Sequence, residues 1–148
     1  MVIGKFLMVT LISLGTAVLY RVPRNLIPWC GLLGGISGST LLLFGDIIGP
    51  IFATFIAAFS VGIMSESLAR LKRVPVSIFL VPGFIPLVPG RYGYLTMRNF
   101  VEQDMISGLK MLSLTLFLAG AIAFGIFLSG TLYRIVHQCW RKNESGQL

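Results

Sequence analysis

An all-α, polytopic helical membrane protein of about five spans, with a short fourth segment broken by proline and glycine, is the fold the sequence predicts. Three observations carry this expectation. Only 11% of the 148 residues are charged and 55% are hydrophobic, whereas a soluble domain is about 25% charged. The mean hydropathy is +0.88. The apolar residues fall into long runs separated by basic clusters, and the fourth run contains three prolines and two glycines in Val81-Pro82-Gly83-Phe84-Ile85-Pro86-Leu87-Val88-Pro89-Gly90. Residues 1–148 read as a single transmembrane domain, with Arg91 to Ser107 as its longest soluble segment.

The first span, 3–20, follows Lys5 and is closed by Arg21, Pro23 and Arg24. Its positive start and the small-x-small triplet Gly15-Thr16-Ala17 also suit a signal peptide, but counted from Met1 it reaches the roughly 20 residues that a span needs. The second span, 26–44, opens with Pro28-Trp29, an indole suited to the interface. Gly31, Gly34, Gly35, Gly38 and Ser39 lie at four-residue spacings along it, which predicts one nearly bare face for close helix contact, with a substrate groove as the alternative.

Gly45-Asp46 and Gly49-Pro50 turn the chain into a third span, 50–71, where Asp46 is expected to cap the helix or face water. Ala53, Ala57, Ala58 and Gly62 again put small residues on one face. Glu66 is the acid that lies well inside an apolar run, a position that marks a functional candidate. Arg70 follows one turn later, and an ion pair near the interface explains both residues structurally.

The fourth segment, 75–90, is too short for a straight crossing at about 1.5 Å per residue through a core of about 30 Å. Each proline removes an N–H and crowds the carbonyl four residues earlier, so Pro82, Pro86 and Pro89 release the carbonyls of Ile78, Pro82 and Ile85. Non-helical backbone survives at bilayer depth where it is buried in protein or lines a watery cavity. A segment without a continuous helix, short or re-entrant and placed on a transport path, is therefore expected. The polar stretch that follows, with Tyr92, Tyr94, Arg98, Glu102 and Asp104, is a gate or a connector. The last span, 106–133, has Ala121, Gly125 and Ser129 as a packing face, and a basic tail, 134–148, follows.

Charge orients the spans. If the fourth segment crosses, Arg21, Arg24, Arg70, Lys72, Arg73, Arg134, Arg141 and Lys142 share one side, eight of the twelve basic residues. The positive-inside rule then puts the C-terminus in the cytoplasm and the N-terminus outside. The net charge of +7 thus reads as topology and contact with anionic lipid rather than nucleic acid. Cys30 and Cys139 have no metal-ligand spacing and read as free thiols, and no metal or other cofactor is implied. Without a Gly-x4-Gly-Lys-Ser/Thr loop or a Gly-x-Ser-x-Gly elbow, and with His137 alone in the tail, an enzyme is not expected.

Arg21-Val22-Pro23-Arg24, Trp29-Cys30-Gly31-Leu32-Leu33-Gly34, and Phe79 to Gly90 with Tyr94 and Met97 beyond it resemble the threonine/serine exporter family over nearly the whole chain. The short integral-membrane subunit type, associated with dicarboxylate (succinate) export, is the nearest likeness, and its most specific part is Pro86-Leu87-Val88-Pro89-Gly90 with Tyr94. The resemblance implies half of a transporter in the bacterial inner membrane, completed by a larger membrane subunit. Where some relatives carry a histidine in the glycine-rich run, this chain has Ser37-Gly38-Ser39, a departure that bears on any proton relay there.

The expected transport path is Pro82, Gly83, Pro86, Pro89 and Gly90, with backbone dipoles meeting a carboxylate or an amino group, as at broken helices in secondary transporters. Tyr92, Tyr94 and Arg98 would attract an anionic substrate at the rim, and Glu66 would exchange a proton if Arg70 turns elsewhere. A small proton-coupled multidrug exporter, a passive channel and a non-transporting assembly subunit are the alternatives, and the small-residue faces also suit a homo-oligomer.

Overall fold

A computed structural model describes the backbone of residues 2–145 and side chains from 6 to 136. The expectations attached to the side chains of Lys5, His137, Cys139, Arg141 and Lys142 lie outside the described residues. The described chain forms α1 (Val2–Leu19), α2 (Ile27–Ile48), α3 (Pro50–Lys72), α4 (Ser77–Phe84), a 3₁₀ turn (Ile85–Leu87), α5 (Gly90–Val101) and α6 (Met105–Ser145). By length and composition Ile27–Ile48, Pro50–Lys72 and Met105–Val136 are able to cross a membrane, and Phe6–Leu19 and Ser77–Leu87 are shorter apolar helical stretches.

Side-chain size is sorted as a bilayer protein requires. Most buried positions of α2 and α3 are small, among them Gly34, Gly38, Ala53, Ala57, Ala58 and Gly62, with Leu33 and Val61 the larger exceptions, while Leu7, Leu11, Phe52, Leu116 and Phe127 point outward. Lipid tails are as apolar as leucine, so association gains from close backbone approach rather than from hiding large side chains.

The glycine face of α2 receives α1. An added Cβ at Gly31 would stand 2.7 Å from Leu14, one at Gly35 would stand 2.6 Å from Thr10, and Gly34 and Gly38 lie under Ser13 and Val9. α2 and α3 are joined by Gly49 alone, whose φ of +83° is open to glycine and strained for other residues. α6 runs parallel to α3, with Gly125 against Phe55 and Ala58 and Ser129 against Gly62.

The basic clusters gather at one end. Lys72 sits 5.3 Å from the Trp29 ring and Arg70 lies 4.7 Å from the ring of Tyr133, while Tyr20 to Pro23 share a small surface hollow with Ser77, Ile78, Val81 and Pro82.

One expectation needs correction, and two stretches are helical where the sequence reading left their structure open. The fourth segment does not break at Pro82: α4 continues through it to Phe84, and the break begins at Ile85. The stretch after Gly90 is mostly helical, α5, which folds back on α6 through Glu102–Asp104, with Phe100 over Gly108. The helix that holds the last span, α6, continues past Tyr133 to Ser145, because residues 134–145 contain neither proline nor glycine to stop it.

Asp104 opens α6 by accepting the Ser107 N–H at 3.1 Å, and hydrogen bonding from Ser107, side chain and backbone, holds its carboxyl below the ordinary 3.8. A lowered folded-state value stabilises fully above 3.8 and fades as the pH falls through that lower value. The protein in detergent should therefore melt at higher temperature than Asp104→Ala at pH 7, and the difference should close under strong acid.

Packing gives a second prediction. A Cβ at Gly125 would stand 2.9 Å from the Phe55 carbonyl oxygen, whereas one at Gly120 meets nothing within 4 Å. Gly125→Ala should cost about 1–3 kcal/mol in thermal or denaturant unfolding, as overpacking does, and Gly120→Ala should be neutral or slightly stabilising.

Candidate functional site

The site is built by what the prolines leave behind. Pro82 has no N–H for the carbonyl of Ile78, and that oxygen instead accepts the Cys30 thiol, with Sγ at 3.4 Å. This substitution lets α4 run through Pro82 while packed against α2. The Ile85 carbonyl, which Pro89 cannot reach, accepts the Val88 N–H at 3.1 Å. Pro82's own carbonyl oxygen faces Gly34, 3.6 Å from where a Cβ would be. Ser37 Oγ bridges the break to α2, lying 2.9 Å from the Gly83 oxygen and 2.8 Å from the Gly34 oxygen. Ser13 Oγ, beside Gly34, is buried and has no hydrogen-bond partner.

Beyond the 3₁₀ turn the chain becomes extended at Val88, with φ −60° and ψ 127°, and starts α5 at Gly90. This leaves a cleft of about 410 Å³ beside the α2–α3 turn. One wall is Leu41, Gly45, Asp46, Pro50 and Thr54, the other is Pro86 to Pro89 with Arg91 and Tyr92, and Leu118 of α6 closes it. A volume in the range of roughly 300–1,000 Å³ suits a small solute. No side chain caps the N-terminus of α3 or of α5, so the positive ends of two helices border the cleft.

Of the path residues expected from sequence, Pro86, Pro89 and Tyr92 line this cleft and Gly90 adjoins it. Pro82 and Gly83 are buried one turn away, where Gly83 fits against Val61 and Leu33. Tyr94 is exposed, and Arg98 points away to pair with Glu102 at 2.8 Å. Glu66 lies about 18 Å along α3 from Thr54, by helical rise, with Arg70 at 3.9 Å and Gly130 of α6 beside it.

Among the lining residues that sequence reasoning did not place in the site, Asp46, Thr54 and Arg91 are the polar ones. Of the two expectations for Asp46, the cap on α3 is not made, since its first residue follows Gly49 with no side-chain hydrogen bond, and the exposed setting is the one found, in the cleft wall. A residue-by-residue charge count would have flagged it, since Asp46 falls in the last turn of α2, where a carboxylate meets the negative end of the helix.

The threonine/serine exporter (ThrE) family model matches residues 5–132, nearly all of the described bundle. The chain belongs to the threonine/serine exporter family. It is thus a member of a membrane transporter family, not of an enzyme family. A protein of Haemophilus influenzae, named only as uncharacterized, is 30% identical over 133 residues, covering 82% of this chain and 44% of that protein. The chain therefore spans less than half the length of that relative. No solved structure matches it.

Ser37→Ala removes the hydroxyl that the Gly83 carbonyl accepts in a buried contact, and should lower stability by about 1–3 kcal/mol. Cys30→Ala, which deletes a weaker thiol donor, should cost less in the same unfolding assay.

Proposed function

We propose that this chain is one membrane subunit of a secondary transporter that exports small carboxylate-bearing metabolites, threonine and serine or a succinate-like dicarboxylate, across the bacterial inner membrane. The observation that carries the proposal is the cleft, because backbone that leaves its helix there lines an open recess of mixed character, with Asp46, Thr54, Arg91 and Tyr92 among its apolar side chains. Family membership supports exporter activity. The greater length of the Haemophilus influenzae relative supports a larger membrane subunit that supplies what this chain lacks. Arg91 and the uncapped starts of α3 and α5 offer positive potential to a carboxylate, and Tyr92 shapes the wall. The basic end of the bundle faces the cytoplasm and contacts anionic lipid, so the cleft opens toward the periplasmic side.

Replacing Pro86 and Pro89 together by leucine should extend helix through the break and fill the recess. Efflux of labelled threonine, serine and succinate from cells with equal membrane levels of wild type and variant reads the outcome. Export at the wild-type rate by a well-inserted variant would remove the cleft from the transport path.

A further inference from the structure

We propose that the end of α4 holds a sodium ion, bound by five neutral oxygens: the hydroxyls of Ser13 and Ser37 and the carbonyls of Gly34, Pro82 and Gly83. The site lies outside the cleft and does not depend on which solute the cleft takes.

Two of these oxygens lack an ordinary partner. Pro86 has no N–H to give the Pro82 carbonyl, and the N–H of Ile85 goes to Val81 instead. Ser13 Oγ is fully buried and has no hydrogen-bond partner among the described residues. It lies against Gly34 at the point where a side chain would begin, and the Pro82 oxygen stands 3.6 Å from that same point. One helical turn along α2, Ser37 Oγ stands 2.8 Å from the Gly34 oxygen and 2.9 Å from the Gly83 oxygen. Its single proton serves one of them at a time.

The chemistry selects the ion. The carbonyls of Pro82 and Gly83 are in the last turn of α4, at the negative end of its dipole, so a cation is favoured over an anion. Carbonyl and hydroxyl oxygens are ligands for hard ions, and no carboxylate is among them to offset a second charge, which argues against a divalent one. Among the described residues no group of three His, Cys, Asp or Glu is placed to hold a metal either. Five oxygens drawn from three helices, with pairs at 2.8 and 2.9 Å, make a small cage, which suits Na+ better than the larger K+. Freed carbonyls and the C-terminal ends of broken helices coordinate Na+ in other secondary transporters.

The test is melting of the detergent-purified chain in NaCl, KCl and choline chloride at equal ionic strength. Na+ should raise the melting temperature saturably, by about 3–8 °C at about 200 mM, and K+ and choline should not. Radiolabelled Na+ should bind at about one ion per chain. Ser13→Ala and Ser37→Ala should each abolish the Na+ response. Ser13→Ala is the sharper variant, because its hydroxyl makes no hydrogen bond whose loss could lower stability: in KCl it should melt no lower than wild type. Cys30→Ala, whose thiol serves the Ile78 carbonyl one turn before Pro82, should keep the full Na+ shift. Equal melting of wild type in the three salts, as an ordered water at these oxygens would give, overturns the proposal. So does a Na+ response that survives in either serine variant, which would place the ion elsewhere.

Discussion

Backbone carbonyls that lose their helical donors need new ones, and the centre of this protein is arranged around that need. Three prolines within eight residues strip N–H groups from a segment surrounded by apolar helices. Cys30 and Ser37, both on α2, supply donors to carbonyls of α4, and Val88 closes the turn on Ile85. The glycine face of α2 serves the same end: with no Cβ at Gly34, the Pro82 carbonyl and Ser13 approach the same stretch of α2. Position of the break and position of the cleft therefore follow from one set of contacts.

Charge follows a different logic at each end of the bundle. At the end holding Arg70 and Lys72, the cations lie over the aromatic faces of Tyr133 and Trp29 and are integrated into packing. At the cleft end, Asp46 and Arg91 are exposed and form no ion pair within 4 Å among the described residues.

Much of the architecture was legible from hydropathy, glycine spacing and the proline block. Gly31, Gly34, Gly35 and Gly38 announced a close helix contact, and α1 fills it. Pro86 and Pro89 announced irregular backbone, and they line the recess. Pro82 misled because its missing hydrogen bond is replaced by a thiol 48 residues away in sequence, a compensation no local rule reveals. Asp46 was read by its neighbours in the chain as a cap for α3 or a residue facing water; it is exposed, and its place in the recess depends on Arg91 and Leu118, which arrive from α5 and α6. Tyr94 and Arg98 share a short polar stretch with Tyr92, but helical α5 turns them to another face, a distinction that spacing shows only once that stretch is known to be a helix.

Gly49 also sets the mechanics of the recess. With a single residue between them, α2 and α3 cannot part at that end, so the wall carrying Asp46 and Thr54 behaves as a fixed jaw. The facing wall is a 3₁₀ turn, an extended residue and the start of a twelve-residue helix, held to the long spans by Leu87, which is buried with Ala57, Ala58 and Ile122, and by the packing of α5 on α6. Any change in the width of the recess would therefore have to come from the proline wall.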